Sequence, residues 1–187
     1  MGRSDPGGLG PAAALSITGG IVLADAFTKL LAVDRLAPVH TPHPVIGEWL
    51  RWTLVYNPGA AFGLHLGPWS RWIFIVLTFV ALAVLWSMYR QSEPAARVKV
   101  VALATIAGGA IGNLVDRVRS SRGVVDFIDV GVGGWRWPTF NIADIAVSCG
   151  AIVLAVILWR EDVAAERAAK AARISDATLA ADERGAS

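Results

Sequence analysis

Four long apolar stretches decide what this chain of 187 residues can fold into. A helix crossing the hydrocarbon core of a bilayer needs about 20 mostly apolar residues. The stretches at about 12–33, 72–89, 98–117 and 138–159 all approach that length. With 55% hydrophobic and 17% charged residues, and a mean hydropathy of +0.52, the chain lacks the polar surface of a water-soluble domain and the composition of a disordered one. It reads as a mainly α membrane protein with four transmembrane helices. The first stretch is too long for the apolar core of a signal peptide and has no small-x-small site beyond it, so it is expected to be retained. A formal net charge of +2 excludes a nucleic-acid binder working through a basic face, and a single cysteine excludes a disulfide framework or a cysteine metal cluster.

Four spans put both termini on one side. The tail side carries nine Lys and Arg (Arg3; Arg90, Arg97, Lys99; Arg160, Arg167, Lys170, Arg173, Arg184) and the loop side seven, a small bias toward cytoplasmic termini. The expected organisation is a cytoplasmic tail at 1–11, a membrane domain at 12–160 with outer loops at 34–71 and 118–137, and a cytoplasmic tail at 161–187. Trp49, Trp52, Trp69, Trp72, Trp135 and Trp137 crowd the loop side, with Trp86 and Trp159 at the far ends of their spans, forming interfacial belts. Within the loops, Trp49–Tyr56 is rich in β-favouring residues and stops at Asn57-Pro58-Gly59. A second short strand is expected at Val124–Val130, so that a small extracytoplasmic sheet sits beside the helices. Gly108 and Gly112 form a small-xxx-small pair that admits a neighbouring helix. Cys149 is expected to be a small packing residue, and His40 and His43, flanked by prolines, to be solvated. Glu166 and Lys170, at i,i+4, support helix in the Ala-rich tail.

Ionisable groups inside a bilayer cost about 2.5–3.5 kcal/mol each at mid-depth on insertion scales and usually mark function. Here they are Asp25, Lys29, Asp116, Arg117, Asp126 and Asp144, with Asn57, Asn113 and Asn141 nearby. At ~1.5 Å per residue, Asp144 lies roughly 22 Å from Trp159 and Asp116 roughly 24 Å from Val100. The charges therefore gather at one level, near the outer leaflet. Asp25 and Lys29, at i,i+4, are expected to pair, and Asp116 with Arg117 to close a helix end as an ion pair. Asp126 and Asp144 stand in apolar surroundings without an adjacent cation, which raises a carboxyl pKa. Two such groups brought together share a proton, as in an aspartic-protease dyad. There is no His-Glu-x-x-His, no Gly-x-Ser-x-Gly and no phosphate loop.

At these residues the sequence resembles the lipoprotein signal peptidases, or type II signal peptidases, which are bacterial intramembrane aspartic proteases. Five motifs carry the resemblance in order: Asp25-Ala-Phe-Thr28-Lys29; Asn57-Pro-Gly59-Ala60-Ala61-Phe62-Gly63; Gly108-Gly-Ala-Ile-Gly112-Asn113-Leu-Val-Asp116-Arg117; Val124-Val-Asp126-Phe127; and Phe140-Asn141-Ile-Ala143-Asp144. They cover roughly residues 15–160. Trp137-Pro138 stands where many members have Phe-Pro, and Asp129 is an acid outside the pattern.

The resemblance implies that Asp126 and Asp144 are catalytic. Asp25, Lys29, Asn57, Gly59, Asn113, Asp116, Arg117 and Asn141 are implied to bind substrate or support the pair. The implied reaction is cleavage before a lipobox cysteine that already carries diacylglyceryl, with no metal and no cofactor. The implied partners are such prolipoproteins and membrane lipids, with no nucleic acid, and the enzyme is expected to act as a monomer in the bacterial cytoplasmic membrane. The rival readings are a proton-coupled transporter using the buried charges as a relay and a structural membrane subunit. Charges at one level make no path across for the first, and the second does not explain why so many polar groups gather at one depth.

Overall fold

The computed structural model describes residues 9–59, 67–93 and 96–185. Ala60, Ala61, Phe62 and Gly63 of the loop motif, and His65, lie outside the described residues. Four helices form: α1 (Pro11–Arg35), α2 (Ser70–Gln91), α3 (Arg97–Arg119) and α4 (Ile142–Gly185). Each carries a window apolar enough to cross a membrane. Large side chains such as Leu23, Phe27, Phe79 and Trp86 point outward, which in water would be an aggregating surface and in lipid is the solvated one. The chain divides into two compact units, Met1–Ala151 and Ile152–Ser187. The second is the distal part of α4.

Helix α3 is the centre of the first unit, with Val100, Ala102, Leu103, Ala104, Gly108, Gly109, Gly112 and Asn113 buried. Without a hydrophobic force between helices in lipid, close packing of small residues holds them together. The Gly108/Gly112 spacing does this against α1: a Cβ on Gly108 would lie 2.9 Å from Cβ of Ile21, and one on Gly112 would lie 2.6 Å from Oδ2 of Asp25. Gly109 serves α4 in the same way, since a Cβ there would strike the carbonyl oxygen of Ala143.

The loops fold into four antiparallel strands in the order β1 (Pro42–Ile46), β2 (Leu50–Asn57), β3 (Val124–Val132) and β4 (Trp135–Arg136). The two strands expected from sequence are β2 and β3, paired with Trp52 opposite Ile128 and Tyr56 opposite Val125. A bulge between Trp52 and Val55 shifts the register before Asp126 is reached. Strands β1 and β4 were not anticipated. The first contains Pro42 and Pro44, which only an edge strand accommodates, and the second has two residues. Ala32 of α1 packs with Phe127 and Ile128 of β3, and Trp52 meets Phe127 at 6.0 Å between ring centroids. The sheet is thereby seated on the end of α1.

The fourth helix begins at Ile142, not at Pro138 as expected from the apolar run. The reason is that the intervening backbone is used by the sheet: Trp137 donates to Val130, and Phe140 exchanges hydrogen bonds with Ile128. The helix then continues without a break beyond Trp159 into the Ala-rich segment.

Candidate active site

Helix α4 opens with a capping box. Asn141 is the N-cap, and its Oδ1 accepts the N–H of Asp144 at 2.9 Å. Asp144, three residues on, returns Oδ2 to the N–H of Asn141 at 3.1 Å. The next orphan donor, the N–H of Ala143, goes to Oδ1 of Asp25 at 2.9 Å, so a carboxylate of α1 completes the cap of α4. Asp144 is therefore fixed in place by the rules that start a helix, and one of its oxygens remains for other contacts.

Asn141 reaches the second aspartate too. Its Nδ2 donates to Oδ1 of Asp126 at 2.7 Å, while Asn57 at the end of β2 donates to Oδ2 of Asp126 at 3.1 Å. Asn113 donates to Oδ1 of Asp144 at 2.8 Å. Each carboxylate thus receives neutral amide donors, and one residue, Asn141, with no exposed surface, touches both. Gly123 keeps Asn57 close: it lies at φ +104, and a Cβ would strike the Asn57 backbone. Asp126 is only 2% exposed. Burial, and next the charge of Asp144, push its carboxyl up to about 7, against the lowering effect of the Asn57 and Asn141 hydrogen bonds.

Behind the amides lies a charged cluster. Lys29 Nζ sits 2.7 Å from Oδ2 of Asp25, 2.8 Å from Oδ2 of Asp116 and 2.9 Å from Oδ1 of Asn113. The expected Asp25–Lys29 pair is present. The expected Asp116–Arg117 pair is not, because adjacent residues on a helix do not face one another. Asp116 instead binds Lys29 and accepts the N–H of Val125 at 3.2 Å. Arg117 lies over the Phe74 ring at 5.5 Å and donates to the carbonyls of Asn113 and Gly59. Gly59 is itself held by its N–H to Oδ1 of Asn57.

Asp126 and Asp144 both line a cavity of about 560 Å³ whose wall also includes Asn57, Asn113, Arg117 and Trp137. The same cavity continues past Cys149, which is exposed instead of packed as expected. His40 is exposed, but His43 Nε2 is buried with no hydrogen-bond partner among the described residues, so it is not the solvated residue the flanking prolines suggested. Among the described residues, no three His, Cys, Asp or Glu side chains gather as a metal site.

The signal peptidase (SPase) II family profile matches residues 17–160, which span the whole arrangement. The chain belongs to the signal peptidase II family. Membership makes it a multi-pass bacterial membrane protein and an aspartic protease of lipoprotein processing. Among relatives, the lipoprotein signal peptidase of Polynucleobacter necessarius subsp. necessarius (strain STIR1) is 40% identical over 144 residues, covering 75% of this chain and 83% of the relative. That of Nitratidesulfovibrio vulgaris (strain DP4) is 41% identical over 152 residues, covering 79% and 89%. A solved bacterial membrane enzyme superimposes with a TM-score of 0.74 at 28% identity, covering 83% of this chain and 92% of that one.

Two features of this signal peptidase II fold had no sequence signal. Arg71, at the start of α2, donates to the carbonyls of Arg117 at 2.6 Å and Val118 at 2.9 Å, closing the end of α3. Asp129 is buried and bound by Arg51 and Thr53 of β2 and by Arg136 of β4. Only the burial of its strand hinted that an acid there needs partners.

Proposed function

We propose that the chain removes signal peptides from diacylglyceryl-modified prolipoproteins, with Asp126 and Asp144 as a catalytic dyad sharing one proton. The observation that carries this is the amide bridge: Asn141 contacts both carboxylates, at 2.7 Å to Asp126 and through a reciprocal cap to Asp144. Among the described residues, no cation is hydrogen-bonded to either carboxylate. With the pair holding one proton, the ionised carboxylate takes a proton from a water, and the water oxygen attacks the scissile carbonyl carbon. The protonated partner donates to the carbonyl oxygen as charge develops there. The tetrahedral intermediate collapses when the amide nitrogen is protonated and leaves as the new N-terminal amine of the cysteine.

Asn57, Asn113 and Asn141 fix the carboxylates, and Lys29 fixes Asn113. Arg117 faces the same cavity and meets the substrate chain, its guanidinium steadied by the Gly59 carbonyl. The sheet end of the bundle is the outer side, the termini are cytoplasmic, and a diacylglyceryl anchor on the cysteine holds the cleavage point at that interface. In this reading the enzyme acts as a monomer.

The test is a gel-shift cleavage assay in lipid that offers the purified full chain a prolipoprotein with and without its diacylglyceryl group. Cleavage of the modified form alone is expected. Equal cleavage of both forms, or of neither by a folded protein, overturns the substrate assignment.

A further inference from the structure

A second cavity, of about 260 Å³, lies between α1, the end of α3 and the β2–β3 pair. Its floor is the Asp25–Lys29–Asp116 cluster, whose carboxylates are already used. Asp25 binds Lys29 and the N–H of Ala143, and Asp116 binds Lys29 and the N–H of Val125. Its mouth is different. Arg119 closes α3 and Arg122 follows in the turn after it. Both are exposed, both line the cavity, and neither guanidinium has a carboxylate partner among the described residues.

The Arg122 guanidinium stacks on the Tyr56 ring at 4.0 Å. Stacking uses its face and leaves the N–H edge for an oxyanion. The side chains lining the cavity include three cations and two carboxylates, one positive charge in excess. Below the arginines the wall is aliphatic, from Leu30 and Val33 of α1, and Leu30 is 68% exposed. This wall runs on to Phe27 and Leu23, which face outward on the same helix.

We infer that this cavity binds the phosphodiester headgroup of an anionic phospholipid, with Arg119 and Arg122 on the phosphate oxygens and an acyl chain along Leu30 and Val33. A pair of cationic donors at the end of a membrane-spanning helix sits at headgroup depth. A free anion would use the arginines and leave the aliphatic wall uncovered, whereas a lipid covers both. The positive excess favours an anionic headgroup over a zwitterionic one, whose ammonium it repels.

The test is native mass spectrometry of the delipidated full chain, titrated with phosphatidylglycerol, phosphatidylcholine and inorganic phosphate. Phosphatidylglycerol is expected to fill one site more tightly than phosphatidylcholine. Arg119→Gln/Arg122→Gln is expected to weaken phosphatidylglycerol about tenfold, the loss of charge-assisted hydrogen bonds. The single variants each lose a part of this, which keeps the test open if the double variant misfolds. Arg90→Gln, a remote exposed cation at the far end of α2, is expected to change nothing. Equal affinity for the two lipids, an equal fall in the remote variant, or no fall in any Arg119 or Arg122 variant overturns the proposal. So does displacement of phosphatidylglycerol by inorganic phosphate at matching concentration, which would make the site one for a free anion.

Discussion

Strand β3 carries two buried aspartates three residues apart, and they are held in opposite ways. Asp126 is 2% exposed and Asp129 is 5% exposed, so burial does not distinguish them. Their odd separation sends them to opposite faces of the strand. Asp129 meets cations: Arg136 Nη2 at 2.6 Å and Arg51 Nε at 3.1 Å, with the Thr53 hydroxyl donating at 2.9 Å. Burial acts to raise its pKa, but the Arg136, Thr53 and Arg51 hydrogen bonds together outweigh it and hold the carboxyl below its ordinary value. Asp126 accepts from amides and feels the charge of a second carboxylate, and its carboxyl rises to about 7. A buried acid supplied with cations is a permanent anion that fastens three strands. One supplied only with amides can keep a proton at neutral pH, as an acid catalyst must.

The largest expected effect belongs to Asp126→Asn. Cleavage is expected to fall by about 10²–10⁴, the usual worth of a positioned acid–base group. Stability moves the other way. A folded-state pKa raised above an unfolded value of about 3.9 disfavours folding increasingly as pH rises from there to about 7. The asparagine variant is therefore expected to unfold at a higher temperature than wild type at about pH 8 and to show no gain near pH 3.5.

Asp129→Asn is the mirror experiment. It leaves Arg51 and Arg136, each about one-fifth exposed, without their carboxylate, and is expected to cost about 2 kcal/mol, less than a fully buried pair would. Because this pKa is lowered, the stabilisation is full above the unfolded value and is lost as pH falls through the folded one. The penalty should shrink in acid, and cleavage per folded molecule should be unchanged. Chemical denaturation in detergent across pH, paired with the cleavage assay, reads both.

Two smaller effects sharpen the picture. Wild-type kcat/KM is expected to decline as pH rises through about 7, where the shared proton is lost. The hydrogen bond from Asn57 favours the ionised Asp126, so Asn57→Ala is expected to move that limb to higher pH by less than about one unit. A limb that stays put, or moves down, would separate Asn57 from the titration.

The fold was legible where length or residue type spoke locally. Four apolar stretches gave four helices, Trp49–Tyr56 gave β2, and the Gly108/Gly112 spacing marked the contact with α1. Less was legible where the partner was distant or the backbone decided. Adjacency in sequence suggested Asp116 with Arg117, whereas the helix turns Asp116 toward Lys29, 87 positions earlier and 2.8 Å away. Pro138–Phe140 reads as the beginning of a span, but the peptide groups of Trp137 and Phe140 on either side of Pro138-Thr139 bond to β3. Asp129 looked superfluous because its cations come from β2 and β4. For the candidate site, residue types were readable, while the capping box joining Asn141 to Asp144 emerged only once the start of α4 was located.

The most direct test compares cleavage of a diacylglyceryl-modified prolipoprotein by wild type, Asp126→Asn, Asp144→Asn and Asp129→Asn, with the unfolding temperature of each protein measured in the same lipid. Folded, uncleaving protein is expected for the first two variants, and cleaving, less stable protein for the third. Efficient cleavage by either Asp126→Asn or Asp144→Asn, or abolished cleavage in a well-folded Asp129→Asn, would contradict this expectation.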